Sequence, residues 1–178
     1  FKNNNKIIRQ EGEGIRVVAA GRLSEQKGYD YLLEVISKAK SKIHCTILGE
    51  GILENKLKAL ATSLDINDKV KFEGYVNDPY PYLNGADALL ITSNFEGLPN
   101  IALESLALGT PVIATPNCGG VKELENAKIA EKGSEFLEQV NNIKVIKKFN
   151  KVSLLEKRFN AKNVMEKLNK ILHIIAIK

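Results

Sequence analysis

Two basic residues and two glutamates carry the strongest chemical signal in this sequence of 178 residues. Arg22 and Lys27 follow the apolar run Ile15–Ala20 and precede an amphipathic stretch, where a helix is expected to begin. A guanidinium can hold two phosphate oxygens in its fork, an ammonium adds a point charge, and a helix N-terminus contributes its dipole. The pattern therefore suits a diphosphate, and a solvated basic turn is the alternative.

The two glutamates, Glu96 and Glu104, lie on either side of a proline that fits the first turn of a helix. Gly97 lets the chain turn so that free backbone N–H groups point into a cleft, and such a nest binds an anion or a row of hydroxyl groups. Glu104 lies in an apolar segment, so its carboxylate needs a partner. A ribose diol and a structural pairing both meet that need. Glu96 is expected to bind sugar hydroxyls or to cap the helix.

Two further segments, residues 49–51 and 117–123, are glycine-rich and follow apolar runs. Glycine permits the tight turn and the close backbone approach of a phosphate loop, but for residues 49–51 a simple turn explains the pattern better. We interpret residues 117–123 as a loop that closes over a ligand. Cys118 has neither a histidine nor a second cysteine beside it, so a nucleophilic role is not expected.

The elements that must position these residues follow from hydrophobic periodicity. Short apolar runs alternate with amphipathic stretches, which is typical of a parallel sheet covered by helices. We predict an α/β fold with a single doubly wound, Rossmann-like sheet, and ligands beyond the carboxyl ends of its strands. The predicted strands are residues 15–20, 43–48, 69–75, 86–92 and 111–115, and the predicted helices are residues 29–40, 53–64, 79–85 and 100–108.

The last third of the chain has a different pattern. A short helix near residues 121–125 and a strand at 128–130 precede two Lys-, Asn- and Glu-rich helical stretches, 135–147 and 154–177. The final turns are apolar on nearly all sides, which predicts a partner surface. We divide the chain into a linker (residues 1–14), an α/β domain (15–150) and a C-terminal helix (151–178) that packs on this domain or on a partner domain.

Composition excludes several classes of function. The chain is 44% hydrophobic and 26% charged, as in soluble globular domains. It has a scattered net charge of +5, 6% aromatic residues and no Trp, so we expect no nucleic-acid partner. The two cysteines lack metal-ligand spacing and indicate a reducing cytoplasm. The basic surplus leaves open an anionic ligand or peripheral association with the inner face of the cell membrane.

Six motifs occur in a fixed order and make the set recognisable. They resemble the C-terminal, nucleotide-sugar-binding domain of retaining glycosyltransferases, in the family that includes glycogen and sucrose synthases and bacterial polysaccharide transferases of group 1. Two glutamates with seven residues between them are the signature of that family. The resemblance covers residues 15–125 and implies one half of a GT-B architecture. The motifs are G-R-L-x-x-x-K-G (21–28), L-G-x-G (48–51), F-x-G-Y-V (72–76), F-E-G-L-P-N-x-x-L-E (95–104), G-T-P-V-I-A-T (109–115) and G-G-x-x-E (119–123).

The resemblance implies roles for these residues. Arg22 and Lys27 would grip the donor diphosphate and stabilise the charge on the leaving group, so that neither a metal nor a cofactor is required. Glu104 would hold the ribose hydroxyls, and Tyr75 and Val76 would line the base pocket. The full donor-binding set implied is Arg22, Lys27, Gly49, Tyr75, Val76, Glu96, Gly97, Leu98, Asn100 and Glu104.

The transferred sugar would be held by the segment that contains the first glutamate of the signature. The resemblance assigns it, and the phosphate next to it, to Glu96 and to the backbone N–H groups of Gly97, Leu98 and Asn100. Glu96, Arg22 and Lys27 would be the catalytic residues.

As a whole, the resemblance implies a retaining, metal-independent transferase that uses a nucleotide sugar, UDP-linked by preference, and a polysaccharide or lipid-linked acceptor. In that family a second, N-terminal domain supplies the acceptor site, and we expect this domain to be missing from the chain. We therefore expect the chain to be the donor-binding half of such an enzyme and to be inactive without the other half. The alternative is a non-catalytic binding or scaffolding module that associates through the apolar C-terminal helix. A sugar-nucleotide epimerase is disfavoured because its acid/base residues would add carboxylates and histidines.

Overall fold

The computed structural model describes residues 14–145, which form a six-stranded, all-parallel sheet of order β3-β2-β1-β4-β5-β6. The linker at 1–13, the end of the predicted α/β domain at 146–150 and the predicted C-terminal helix lie outside the described residues. The strands are β1 (Ile15–Ala20), β2 (Ile43–Leu48), β3 (Val70–Gly74), β4 (Ala88–Ile91), β5 (Val112–Ala114) and β6 (Ala127–Ile129). The helices are α1 (Tyr29–Lys38), α2 (Glu54–Ser63), α3 (Tyr80–Gly85), α4 (Asn100–Ala107) and α5 (Ser134–Asn141).

Helices cover both faces of the sheet, which confirms the predicted doubly wound α/β fold. One face packs against α1, α2 and α5 around a core that includes Leu33, Leu57 and Phe136. The other face packs against α3 and α4 around Leu83 and Ala102. Because the central strands are buried on both faces, their sequences are nearly continuous apolar runs rather than alternating ones.

The strand order reverses between β1 and β4. The chain builds β1, β2 and β3 towards one edge and then crosses back to place β4 on the other side of β1. The crevice outside the carboxyl ends of the strands at such a reversal is the usual ligand site of open α/β sheets. Both strands end there and lead into the segments with the candidate site residues, since β1 is followed by Gly21 and β4 by Thr92.

The predicted elements of the last third are shorter or different in type. The predicted helix at 135–147 ends at Asn141, and the predicted helix at 121–125 is a 3-10 turn over Gly119–Glu123. Helix α1 stops at Lys38, and the Asn141 side chain then accepts the Lys40 N–H at 2.9 Å. That contact joins residues about a hundred positions apart, so local periodicity could not reveal it.

A hydroxyl on α1 links this helix to the loop before α5. The Tyr31 hydroxyl accepts the Gly133 N–H at 2.7 Å, and the ring contacts Phe136 edge-on at 5.7 Å between centroids. Tyr31→Phe removes only the hydrogen bond, so we expect the free energy of unfolding in urea to fall by about 0.5–1.5 kcal/mol. Tyr80→Phe is the control, because the Tyr80 hydroxyl bonds to no described residue. Equal stability of Y31F and the parent would contradict this expectation.

Candidate functional site

A cleft of about 540 Å³ opens at the carboxyl ends of β1 and β4. Its wall is formed by the segments after β1, β2 and β3, by Glu96 after β4, and by the first turns of α4. Eight of the ten residues predicted to bind a donor lie on this wall: Arg22, Lys27, Gly49, Tyr75, Val76, Glu96, Asn100 and Glu104. The fold therefore brings together side chains that are up to 82 positions apart in the sequence.

The segment after β1 is tied to the end of β4. Lys27 closes a short 3-10 turn, Glu25–Lys27, and its carbonyl accepts the Thr92 hydroxyl at 3.0 Å. The Asn94 N–H donates to the Gln26 carbonyl at 2.7 Å. The backbone of Lys27 is thus fixed by the strand end that also carries Glu96.

The central contact of the cleft is an ion pair between Lys27 and Glu96. Lys27 Nζ lies 2.5 Å from Glu96 Oε1, and the two side chains are only 17% and 15% exposed. The buried Ser93 hydroxyl donates to the other carboxylate oxygen, Oε2, at 2.8 Å. Both oxygens of Glu96 are therefore engaged. Sequence reasoning assigned Lys27 and Glu96 to different parts of a ligand and missed both their pairing and Ser93, for which the sequence offers no signal.

Arg22 and Glu104 also line the cleft, but their charged groups have no partner among the described residues. Arg22 is exposed on the cleft wall, and Glu104 is half-buried on α4. Neither the guanidinium nor the carboxylate makes an ion pair or a side-chain hydrogen bond with a described residue. The structural pairing considered for Glu104 thus finds no partner within residues 14–145, and the carboxylate is available to a ligand in the cleft.

The ends of β1, β2 and β3 meet backbone to backbone. Gly49 has a φ of +131°, and a Cβ there would lie 2.1 Å from the Gly21 carbonyl oxygen, so a side chain at this position is excluded. The Gly49 N–H donates to the Gly74 carbonyl at 2.7 Å. Tyr75 follows, 70% exposed, and its N–H donates to Glu50 Oε1 at 3.3 Å.

Several wall residues were not assigned to the site by sequence reasoning. Glu50 and Pro79 contribute to the cleft, although the sequence indicated only a turn and a helix start at their positions. A parallel sheet brings successive strand ends to one edge, and this general rule is the only signal that points to them.

Gly97 and Leu98 do not line the cleft. The segment containing them bonds instead to the glycine-rich segment 117–123: the Gly119 N–H donates to the Glu96 carbonyl at 3.0 Å and the Gly120 N–H to the Gly97 carbonyl at 3.1 Å. The predicted closing loop at 117–123 is thus bonded to residues 96–97. Burial raises the pKa of the enclosed Cys118 thiol, which disfavours the thiolate.

Two features are absent from residues 14–145. In this part of the chain, no three His, Cys, Asp or Glu side chains are grouped so that they could hold a metal ion. None of its helices has the length and apolar character needed to cross a membrane.

The sheet order and the cleft at the strand reversal define a Rossmann-like domain of the type that forms one half of a GT-B enzyme. The chain belongs to the family described as glycosyl transferases group 1, whose profile matches residues 1–170. A similar curated protein is the N-acetylgalactosamine-N,N'-diacetylbacillosaminyl-diphospho-undecaprenol 4-alpha-N-acetylgalactosaminyltransferase of Campylobacter jejuni. It is 34% identical over 108 residues, which cover 61% of this chain and 30% of the relative.

Solved structures share the fold. The apo form of the lipopolysaccharide outer core galactosyltransferase WaaB superposes with a TM-score of 0.78 at 21% identity, covering 93% of this chain and 50% of that one. Anabaena HepE in complex with UDP and glucose gives a TM-score of 0.71 at 21% identity, covering 90% and 48%. The chain thus spans about half the length, or less, of these three proteins.

Proposed function

We propose that this chain binds a nucleotide-sugar donor as the donor half of a retaining glycosyltransferase. One observation carries the proposal: two cations and three carboxylates on elements remote in sequence line one cleft at the strand reversal. The cleft volume of about 540 Å³ falls within the range of small-molecule sites. The family is consistent with this chemistry.

In this proposal the diphosphate lies against the segment after β1. The Arg22 guanidinium is unpaired among the described residues and can take two phosphate oxygens in its fork. Lys27 stands on the same wall and adds its ammonium. When the bond between the anomeric carbon and the β-phosphate oxygen breaks, the electron pair stays on that oxygen, and these cations stabilise the charge without a metal.

The nucleoside would lie between α4 and the end of β3. The free carboxylate of Glu104 accepts hydrogen bonds from two ribose hydroxyls, and Tyr75 and Val76 border the base. Uracil is our preferred base because the structural neighbour HepE is described in complex with UDP and glucose. Glu96 and the start of α4, at Asn100, would face the sugar.

The acceptor hydroxyl would attack the anomeric carbon from the face that the diphosphate leaves and would pass its proton to the departing phosphate oxygen, so that the configuration is retained. We propose that a second domain holds the acceptor and that the acceptor is lipid-linked or a polysaccharide, in line with the diphospho-undecaprenol of the Campylobacter relative's name. NMR of the product made by the enzyme with its acceptor domain would reveal inversion if the retaining mechanism were wrong.

Free thiols at Cys45 and Cys118 agree with a cytoplasmic location.

Calorimetric titration of the 178-residue chain with UDP, ADP, GDP and uridine tests donor binding. We expect UDP to bind and uridine to bind much more weakly. An absence of heat with every nucleoside diphosphate would contradict the proposal.

Glu104→Gln tests the ribose contact. A carboxylate accepts stronger hydrogen bonds than an amide, by about 1 kcal/mol. We therefore expect the preference of the chain for UDP over 2′,3′-dideoxy-UDP to fall about fivefold in E104Q, measured by calorimetry. Because both ligands carry the same diphosphate, the comparison cancels the effect of the lost negative charge. An unchanged preference would place the ribose elsewhere.

A further inference from the structure

We propose that Glu96 is an internal counter-ion of Lys27 and competes with the diphosphate for the Lys27 ammonium. As a result, the nucleoside diphosphate product is released more readily than the intact donor. The inference rests on the proposed function. Arg22 is unpaired among the described residues, whereas the charge of Lys27 is offset by Glu96 at 2.5 Å.

The pair is held from both sides by buried groups. Ser93, 1% exposed, donates to Glu96 Oε2 at 2.8 Å, and its own carbonyl accepts the buried Thr115 hydroxyl at 2.8 Å. On the other side, the Thr92 hydroxyl fixes the Lys27 carbonyl. Exposed ion pairs contribute little because water screens them and their long side chains move. Here both partners are mostly buried, so the attraction between them is screened less.

The ion pair between Lys27 and Glu96 weakens the binding of a diphosphate in the cleft. The diphosphate oxygens must draw the Lys27 ammonium away from Glu96 or share it, and they are repelled by the carboxylate in either case. An intact donor also brings sugar hydroxyls, which can donate to the Glu96 oxygen that Lys27 leaves. A nucleoside diphosphate without the sugar offers no such compensation, so Glu96 weakens the binding of the product more than that of the donor.

Glu96→Gln tests the inference because glutamine keeps the shape and an acceptor for Ser93 but removes the charge. We titrate the 178-residue chain and E96Q with inorganic pyrophosphate, UDP and uridine. The expected result is about tenfold tighter binding of pyrophosphate and UDP by E96Q, with uridine unchanged. The matched control is Glu34→Gln, which removes the same charge from an ion pair with Lys38 on the exposed face of α1 and should leave all three affinities unchanged.

The outcomes separate this inference from the proposed function. If both proteins bind UDP and E96Q binds pyrophosphate and UDP no more tightly, the inference is wrong and donor binding stands. If neither protein binds UDP but E96Q binds pyrophosphate more tightly, the role of Glu96 as a counter-ion is supported and the assignment of a nucleotide to the cleft is wrong. If neither protein binds pyrophosphate, the inference is overturned.

A second pair of variants keeps the test valid if E96Q does not fold. An offset cation contributes less to anion binding than an unpaired one, so Lys27→Ala should weaken pyrophosphate binding by about threefold or less. Arg22→Ala should weaken it by about tenfold or more. Equal losses in the two variants would overturn the inference.

Discussion

Replacing Arg22 with alanine should weaken UDP binding by about tenfold to a hundredfold and leave uridine binding unchanged. A hydrogen bond to a charged group contributes about 1.5–3 kcal/mol, and each 1.4 kcal/mol corresponds to a factor of ten in affinity. Arg22 is exposed and makes no side-chain bond to a described residue, so its loss should not unfold the domain. Calorimetry with both ligands measures the effect.

Arg22→Lys is the matched control. Lysine keeps the positive charge but lacks the planar fork that binds two oxygens at once, so we expect an affinity for UDP between those of the parent and R22A. If R22A weakened uridine and UDP binding equally, Arg22 would not contact the phosphates.

Gly28→Ala should lower the free energy of unfolding by about 3 kcal/mol or more. Gly28 is buried between the Glu25–Lys27 turn and α1, with a φ of +60°, and a Cβ there would lie 2.3 Å from the Thr92 carbonyl oxygen. The left-handed conformation costs a non-glycine residue about 1–2 kcal/mol. The clash adds to this cost because Thr92 cannot move without disturbing its bond to Lys27.

Gly97→Ala is the control for this variant. Gly97 has no positive φ, and a Cβ at this position would meet nothing within 4 Å. We expect its stability in urea denaturation to lie within about 0.5 kcal/mol of the parent. Equal stabilities of G28A and G97A would show that the approach of Gly28 to Thr92 is not a constraint on the fold.

The architecture was predictable because its signals are local. The strands Ile15–Ala20 and Ile43–Leu48 have the predicted bounds, since buried parallel strands leave uninterrupted apolar runs in the sequence. Predictions were weaker where a distant contact decides the structure. Helix α5 ends at Asn141, whose side chain bonds to Lys40, and no local pattern contains that information.

In the candidate site, too, some features could be predicted from the sequence and others could not. Arg22 and Glu104 could be placed on one cleft because the carboxyl ends of parallel strands meet at one edge. The pairing of Lys27 with Glu96 could not be predicted, since 69 positions separate them and both were assigned to a ligand. Gly97 and Leu98 lie off the cleft wall because residues 96–97 bond to Gly119 and Gly120, a contact between two loops.

A crystal structure of the 178-residue chain with UDP tests the central claim most directly. The predicted result is a diphosphate within hydrogen-bond distance of the Arg22 guanidinium and a ribose whose two hydroxyls donate to the Glu104 carboxylate. UDP bound outside this cleft, or bound in it with the phosphates away from Arg22, would contradict the assignment of the site.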